Sequence, residues 1–356
     1  MSLTREAVLA ALSSVQDPDL HKNIVALGFV KDVGIENGEV DFTIELTTPA
    51  CPVRDQMKAE AEAAVMGVPG VRAARARMTA NVRTRGGFGR QAIAGIRNIL
   101  AVGAGKGGVG KSTTSVNIAV SLARQGARVG LLDGDVYGPN IPQMLGCELQ
   151  PEVTSDQKMI PPEAHGIKVL SMGMLVPKDQ ALIWRGPMLH SAVQQMMRDV
   201  AWGELDYLVV DLPPGTGDVS LSMAQSVPVA GAVVVTTPQG VSVSDVRKAV
   251  AMFRQLNIPV LGVLENMSHF ICGHCHERTE IFGSGGGRKM AEELEIRFLG
   301  EVPIDTRVRV GGDEGSPIVA SFPEAPAAMA FMTAASQVAA QLSIQNMRVL
   351  RVVETD

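Results

Sequence analysis

The sequence contains few aromatic residues, few cysteines and no strong excess of charge of either sign. Aromatic residues make up 4% of the 356 residues, the cysteines number four, and the formal net charge is −5. A small acidic excess does not favour a nucleic-acid partner, which would select a basic surface. With so few cysteines, the thiols are better candidates for metal binding or catalysis than for a disulfide framework.

Two further features are absent from the sequence, a targeting segment and a membrane span. The first residues, MSLTREAVLAALSSV, lack the basic beginning and the long apolar run of a signal peptide. We expect no uncharged apolar stretch of the roughly 18 residues that cross a bilayer. We therefore predict a cytoplasmic protein with reduced cysteines and no membrane partner.

Length and composition favour two folded units. The chain is longer than one average domain, 46% of its residues are hydrophobic, and its 37 glycines suit a loop-rich α/β enzyme. The first part combines helical and strand patterns, with a hairpin turn at Asn37-Gly38. The predicted segments are a small α+β domain (1–82), a linker with a basic, glycine-rich start (83–97), a main domain (98–345) and a C-terminal tail (346–356).

The main domain alternates short apolar runs with helical patterns. Such alternation is typical of a doubly wound, mostly parallel sheet, because helices cover both of its faces. A last long helix is predicted at roughly 326–344, and the apolar cluster in the tail is expected to dock as a strand or to fray. The apolar runs are residues 99–102, 129–132, 169–172, 207–210, 232–236 and 260–264.

A glycine-rich stretch follows the first apolar run. Gly105, Gly110, Lys111 and Ser112 satisfy the pattern G-x-x-x-x-G-K-S. Glycines let backbone amides curl around phosphate oxygens, and the N-terminus of the following helix adds partial positive charge. A glycine-rich turn without a ligand is the alternative, but the strand before it and the helix after it favour an ATP site. The predicted nucleotide contacts are Gly105, Lys106, Gly107, Gly108, Val109, Gly110, Lys111, Ser112 and Thr113.

Within this loop, Lys111 is predicted to bridge the β- and γ-phosphates and Ser112 to hold Mg²⁺. Residues 106–113, Lys-Gly-Gly-Val-Gly-Lys-Ser-Thr, resemble the deviant Walker A motif of the MinD-type ATPases, partition ATPases and nitrogenase iron protein. In that family the first lysine reaches the nucleotide of a partner subunit. The resemblance thus implies a homodimer in which Lys106 acts across the interface.

Aspartates follow two other apolar runs. Asp133 and Asp135 come after residues 129–132, and Asp211 ends residues 207–210, at the strand ends where ligands bind in parallel sheets. By the same resemblance, Asp135 positions or activates the attacking water, and Asp211 lies near Mg²⁺, usually through a water molecule. Asn266 resembles the asparagine that recognises the base in this family. The predicted catalytic residues are Lys106, Lys111, Asp135 and Asp211.

A C-x-x-C motif follows Asn266 at Cys272 and Cys275. Two thiolates at this spacing suit an iron–sulfur centre, Zn²⁺ or Cu⁺. They are half of a four-thiolate site, which a two-fold dimer would complete. His274 and His276 flank the second cysteine, so a Cys/His zinc site is the main alternative.

The motifs in combination resemble the Mrp/ApbC family of iron–sulfur carrier ATPases. Besides the P-loop and the C-x-x-C, the match includes residues 133–140, 211–218, 265–268 and 281–283. It implies a 4Fe–4S cluster that is bridged between subunits by Cys272 and Cys275 and passed to apo-proteins. Gly273 is a departure, because the family commonly has proline after the first cysteine.

The first domain also has a recognisable pattern. Residues 17–20, 23–25 and 47–52 resemble the small iron–sulfur assembly-type domain at the N-terminus of bacterial Mrp proteins. Cys51 lies at a predicted strand-to-helix turn, where a helix N-terminus would lower its pKa and make it a reactive thiolate or a transient cluster ligand. A half-buried structural cysteine is the equal alternative, and Cys147 is expected to be structural.

The resulting hypothesis is an ATP-dependent carrier of 4Fe–4S clusters that acts as a homodimer with assembly scaffolds and apo client proteins. Its cofactors would be ATP and Mg²⁺. One alternative is a MinD/ParA-like positioning ATPase, but the tail carries only two arginines and ends acidic, which is poor for membrane or DNA binding. The other alternative is a metallochaperone or scaffold ATPase that binds Zn²⁺.

Overall fold

The structure, a computed structural model, divides the chain into two compact units. One comprises Met1–Arg83 together with Ala339–Asp356, and the other comprises Thr84–Val338. Most of the predicted linker, residues 83 and 85–92, lies outside the described part of the chain. The described residues are 3–82, 84, 93–135, 138–147, 149–175 and 186–353.

The smaller unit is an α+β domain with a three-stranded sheet. β3 and β4 are antiparallel and joined at Asn37-Gly38, where both residues have positive φ, as in a type I′ hairpin turn. β5 lies parallel to β4 because helix α2 connects them as a crossover. Its elements are α1 (Arg5–Leu12), β1 (Gln16–Asp17), β2 (Lys22–Asn23), β3 (Val30–Glu36), β4 (Glu39–Leu46), α2 (Arg54–Met66) and β5 (Ala73–Ala80).

The first half of the larger unit contains the central strands and the helix that follows the glycine-rich loop. The short strands β8 to β10 lie in the segment of the chain between α4 and β11. In order the elements are β6 (Ile96–Ala104), α3 (Lys111–Arg124), β7 (Val129–Asp133), α4 (Ile141–Met144), β8 (Glu152–Val153), β9 (Met159–Ile160), β10 (Glu163–Ala164), β11 (Ile167–Ser171), α5 (Met172–Leu175), α6 (Gly186–Arg198) and β12 (Leu205–Asp211).

The second half carries the long strand that leads to the cysteines and ends in the longest helix. The elements are α7 (Asp218–Ser226), β13 (Gly231–Thr236), α8 (Gly240–Gln255), β14 (Val260–Ile271), β15 (Arg278–Thr279), α9 (Gly286–Glu293), β16 (Phe298–Ile304), α10 (Thr306–Glu314), α11 (Ile318–Ser321) and α12 (Pro326–Val353).

One nine-stranded sheet organises this unit. Its order is β10-β11-β7-β12-β6-β13-β14-β15, and β16 pairs with β14. Seven strands are parallel, and only β10 and β15 run antiparallel to their neighbours. Every residue of β7, β12 and β13 is buried, as expected for strands covered on both faces. The predicted doubly wound, mostly parallel fold is confirmed.

Helix α8 packs closely against the central strand β6. A Cβ atom built on Gly103 would lie 2.9 Å from the ring of Phe253, so the strand has room only for glycine where that ring rests. Phe253 itself is completely buried in the main hydrophobic cluster. The strand that leads into the phosphate loop is therefore held by a close-packed aromatic contact.

The tail differs from its prediction. Helix α12 continues to Val353, so the expectation of a strand or a frayed end after residue 345 is wrong through that residue. The segment contains no glycine or proline after Pro326 that would end the helix. Residues of α12 up to Val338 belong to the larger unit and those from Ala339 onward to the smaller.

Helix α12 also contradicts the expectation that no apolar stretch is long enough to cross a bilayer. Pro326–Met347 is a 22-residue stretch long and apolar enough to cross a membrane by length and composition. Half of its most apolar window is buried inside the protein. Such burial is also seen for the core helix of a soluble fold, so this segment is weak support for a membrane span.

We expect Phe253→Ala to lower the free energy of unfolding by about 3–5 kcal/mol, because it leaves a cavity beneath β6. Phe322→Ala is the matched control, since that ring is 48% exposed and stacks only on Arg307. Its cost should be about 1 kcal/mol or less. Urea unfolding followed by circular dichroism measures both, and equal costs would contradict the packing described for Phe253.

Candidate functional site

The phosphate loop connects β6 to α3 and is shaped by two glycines with left-handed backbone. Gly108 and Gly110 have φ of 81° and 83°, and Gly110 caps the helix that begins at Lys111. A Cβ atom on Gly110 would lie 2.1 Å from the amide nitrogen of Asn266. That nitrogen donates to the carbonyl oxygen of Val109 at 3.0 Å. Asn266 therefore contacts the phosphate loop directly.

Lys111 is the cation at the centre of the site. Its side chain is only 6% exposed, and its ammonium group lies 2.5 Å from a carboxylate oxygen of Asp211 and 3.7 Å from one of Asp135. It also donates to the hydroxyl of Ser112 at 3.1 Å. A buried ammonium group is costly unless it is paired and hydrogen-bonded, and here both conditions are met. Lys111, Asp135 and Asp211, three of the four predicted catalytic residues, therefore lie close together within one chain.

Asp211 ends β12 and is completely buried. Its two carboxylate oxygens accept hydrogen bonds from Ser112 at 2.7 Å and Ser115 at 2.6 Å. Mg²⁺ prefers hard oxygen ligands, and the Ser112 hydroxyl and the Asp211 carboxylate are close enough to serve one cation, directly or through water. These two residues therefore fit the predicted magnesium site.

The loop after β12 is tied to the strand that carries the phosphate loop. The amide of Gly215 donates to the carbonyl oxygen of Ala104 at 3.0 Å, and Gly215 has a φ of 84°. This hydrogen bond joins the segment after Asp211 to the last residue of β6.

The two aspartates after β7 occupy different environments. Asp133 is completely buried and accepts hydrogen bonds from the Ser171 hydroxyl at 2.9 Å and the Asp135 amide at 3.1 Å. Burial, reinforced by the negative charge of Asp211, raises the pKa of Asp133 to about 7. Asp133 therefore orders the loop, while Asp135 faces Lys111. Residues 136 and 137 of the same motif lie outside the described chain.

Lys106 contrasts with Lys111. It is half-exposed on the loop, and no residue in the described part of the chain forms a hydrogen bond or ion pair with it. The two lysines of the motif are therefore not equivalent within one chain. One is neutralised by carboxylates, and the other presents its charge to solvent.

The cysteine pair lies in a hairpin at the end of β14. This strand runs past Asn266 to Ile271 and pairs antiparallel with β15, and the Cys272 amide donates to the carbonyl oxygen of Glu277 at 3.0 Å. Cys272 is half-buried and Cys275 is exposed. The amides of Cys275 and then His274 donate to the Cys272 sulfur and lower its pKa. The hairpin therefore holds both thiols where solvent can reach them.

Within one chain, these thiols have no further ligand. Among the described residues, no three His, Cys, Asp or Glu side chains converge on a point that could hold a metal ion. His274 and His276, considered for a zinc site, flank Cys275 but do not complete such a group. A Cβ atom at Gly273 would meet no atom within 4 Å, so packing does not require glycine at this departure from the family pattern.

Cys51 does not have the environment that the sequence suggested. It precedes α2, but burial raises its pKa to about 11, against a smaller lowering by the Val53 amide. The negative charges of Asp17 and Asp19 raise it further. The prediction of a lowered pKa at this helix start is wrong, because desolvation outweighs the amide contact. Cys147 is buried, as expected for a structural cysteine.

Two serines of the site were not predicted from the sequence. Ser115 lies four residues after Lys111 on α3, so it reaches Asp211 from the same helix face. Ser171 is the register partner of Asp133 in the neighbouring parallel strand. The spacing of the first and the strand-end position of the second are signals that could have found them.

Two family models match the chain. One describes NUBPL iron-transfer P-loop NTPases and covers residues 95–339. The other describes iron–sulfur cluster assembly proteins and covers residues 5–77. The two models match separate segments of the chain.

Curated relatives match over nearly the whole chain. An iron–sulfur cluster carrier protein of Deinococcus radiodurans is 49% identical and aligns over 96% of this chain and 97% of its own length. A protein of the same description from Escherichia coli is 42% identical over 96% of this chain and 93% of its own.

Solved structures share the fold of the larger unit. A nucleotide-binding protein of Archaeoglobus fulgidus in complex with ADP has a TM-score of 0.56 and 41% identity, covering 62% of this chain and 87% of its own. The cell-division ATPase MinD of Pyrococcus furiosus has a TM-score of 0.51 and 23% identity, covering 68% and 98%. At that identity the second likeness concerns the fold alone.

The thiols allow a pH-dependent test. Since the thiolate is the nucleophile, Cys272, with its lowered pKa, should react faster with iodoacetamide at pH 8 than Cys51, of which about a thousandth is ionised there. The Cys51 rate should also rise about tenfold per pH unit between pH 7 and 9. Peptide mass spectrometry of anaerobically labelled protein measures both rates, and fast labelling of Cys51 at pH 7 would contradict its described environment.

Proposed function

The chain belongs to the family of NUBPL iron-transfer P-loop NTPases and is an ATPase that carries iron–sulfur clusters, and we propose that its cargo is a 4Fe–4S cluster held between two copies of the chain. The family match confirms the resemblance seen in the motifs. The likeness to MinD is one of fold and does not favour the alternative of a positioning ATPase.

The observation that carries the cluster proposal is the exposed pair Cys272 and Cys275. A 4Fe–4S cluster is usually held by four thiolates, and each chain offers two at one hairpin. A two-fold symmetric dimer presents the same hairpin twice, so the two pairs supply the full set. The lowered pKa of Cys272 favours its thiolate, which is the form that binds metal.

The nucleotide site supports the same symmetry. Lys111, Ser112 and Asp211 form the phosphate and magnesium end within one chain, and Asn266 contacts the loop at Val109. Lys106 has no described partner in its own chain, which suits a role at the nucleotide of the second subunit. Asp135, 3.7 Å from the Lys111 ammonium, is then the carboxylate that positions the attacking water.

The setting we propose is a reducing cytoplasm with protein partners. All four cysteines are free, and solvent-exposed thiols such as Cys275 persist in reducing compartments. The partners would be assembly scaffolds that load the cluster and apo-proteins that receive it. The net charge of −5 does not favour nucleic acid among them.

Anaerobic reconstitution with iron and sulfide tests the cargo. We expect a coloured dimer with about four iron and four sulfide per two chains, because each chain supplies half of the ligands. Cys272→Ala combined with Cys275→Ala should remove the cluster and its visible absorption. Metal analysis, absorption spectroscopy and light-scattering mass measure these outcomes.

Cys147→Ala is the matched control for this experiment, since that thiol is buried in the same unit and should not affect loading. Normal cluster uptake and transfer by the double variant would contradict the assignment of the site. A stoichiometric zinc content with no iron uptake would instead support the metallochaperone alternative.

Substitution of the two lysines of the loop should affect different steps. Lys106→Ala is expected to keep ATP binding but lose ATP-dependent dimerisation and at least about a hundredfold in hydrolysis, the scale of a lost charge-stabilising contact. Lys111→Ala should lose ATP binding itself, because it leaves Asp211 and Asp135 without their cation. Isothermal titration and light scattering with ATP and Mg²⁺ distinguish the two effects.

Lys58→Ala controls for the loss of a lysine, since that side chain is half-exposed and forms a 4.0 Å ion pair with Glu62 on α2, in the smaller unit. It should behave as the unsubstituted protein. Wild-type ATP-dependent dimerisation of the Lys106 variant would argue against its action across subunits.

A further inference from the structure

Glu265 on β14 is a completely buried carboxylate for which neither the nucleotide site nor the cysteine pair accounts. It directly precedes Asn266, whose amide holds the phosphate loop. Burial raises the pKa of Glu265, and two backbone amides lower it in part. A buried carboxyl group costs free energy unless it is hydrogen-bonded. Glu265 therefore requires contacts with hydrogen-bond donors.

Those contacts lie in the glycine-rich segment that follows the cysteine hairpin. The amide of Gly285 donates to one oxygen of Glu265 at 3.3 Å, and the amide of Gly287 donates to the other at 2.5 Å. A Cβ atom on Gly287 would lie 3.0 Å from the Glu265 carboxylate. The chain returning from the hairpin into α9 is thus pressed against this side chain.

The hairpin that carries the cysteines is therefore connected to residues 265–266 at both of its ends. Its outgoing arm is the last part of β14, from Asn266 to Ile271. Its returning arm passes through β15 and reaches the amides held by Glu265. The same dipeptide contacts the phosphate loop through Asn266, so one point of the backbone joins the nucleotide site to both arms.

Strand pairing alone does not make this connection rigid. The register between β14 and β16 shifts between Asn266 and Phe270, and Met267 has a left-handed φ of 55°. The regular ladder is therefore interrupted just beyond the nucleotide end of the strand. The Glu265 carboxylate provides a second link, because its hydrogen bonds join β14 to the returning arm without depending on the interrupted pairing with β16.

We propose that Glu265 is a positioning residue that couples nucleotide binding at the phosphate loop to the conformation of the Cys272–Cys275 hairpin. A shift of Asn266 when nucleotide binds would move Glu265, and Glu265 would move the amides that anchor the returning arm. The thiols would then differ in exposure between the nucleotide-free and nucleotide-bound states. This inference deepens the proposed function and rests on it for its biological meaning.

The test measures thiol reactivity in the apo-protein and needs no cluster. Cys272 and Cys275 are alkylated anaerobically with and without Mg²⁺ and a non-hydrolysable ATP analogue, and the labelled peptides are quantified by mass spectrometry. For the unsubstituted chain we expect the analogue to change the rate at least about fivefold, the lower end of typical coupling between sites. In Glu265→Gln, the amide nitrogen accepts no hydrogen bond, so one glycine contact is lost and the change should fall below about twofold.

Affinity for the analogue, measured by titration, separates coupling from a general structural defect. Glu265→Gln should bind it within about twofold of the unsubstituted chain, because the contact of Asn266 with Val109 remains. Glu293→Gln is the matched control, since it makes the same change on α9 at a half-exposed ion pair with Arg247. It should keep both the affinity and the full nucleotide-dependent change in labelling.

A second variant approaches the same contact from the loop. Gly287→Ala places a Cβ atom against the Glu265 carboxylate and should also uncouple labelling from nucleotide, which keeps the test available if Glu265→Gln does not fold. The proposal is overturned if a folded variant retains the full change, if it loses nucleotide affinity in parallel, or if the unsubstituted chain shows no nucleotide-dependent labelling. Failure of cluster loading in the reconstitution experiment would leave these labelling outcomes unaffected, so the two ideas fail separately.

Discussion

The ion pair of Lys111 with Asp211 is the interaction on which the arrangement of the site depends. The ammonium group and the carboxylate are both buried, and each is costly without the other. Asp211 ends the strand next to the one that leads into the phosphate loop, so the pair joins two strand ends and the first turn of α3. Ser112 and Ser115 donate hydrogen bonds to the two oxygens of this carboxylate from the same helix. In the proposed ATP-bound state, Lys111 would contact the phosphates and Ser112 the magnesium ion, so the contacts of this pair would change with nucleotide.

The parallel sheet explains why so many polar residues meet at one edge. Asp133 and Asp211 end their strands, and Asn266 lies on β14 just past the level at which the neighbouring strand β13 ends, at the edge where the fold leaves room for a ligand. β14 then continues beyond that edge for several residues before it reaches the cysteines. The Cys272–Cys275 hairpin therefore lies outside the nucleotide site, directly after the end of the same strand. A carrier that responds to ATP has use for such an arrangement, since the cargo stays accessible to other proteins.

The sequence predicted the features that local rules govern. The phosphate loop, the two strand-end aspartates and the C-x-x-C follow from residue types at fixed spacings next to recognisable strands. The rules failed where burial decides the outcome. The start of α2 suggested a lowered pKa for Cys51, but desolvation raises it. The sequence did not indicate the contacts of Glu265, because its partners are backbone amides some twenty residues away. Backbone amides are present at almost every residue and leave no sequence signal. Apolar residues in the tail did not reveal that α12 continues through them.

Two features are incomplete within one chain: Lys106, which has no described partner, and the cysteine pair, which offers half of a four-thiolate site. Together they constrain the geometry of the proposed dimer more tightly than either does alone. Lys106 lies on the loop after β6, and the cysteines lie beyond the end of β14, two strands away in the sheet. Adjacent strands are about 4.8 Å apart, and the six residues from Asn266 to Cys272 span at most about 20 Å. Both features therefore project from the same edge within a distance that one protein interface covers. A single two-fold axis facing this edge can bring each lysine to the partner's nucleotide and the two cysteine pairs to each other. An interface that satisfied only one of them would leave either an uncompensated loop cation or a cluster with half of its ligands.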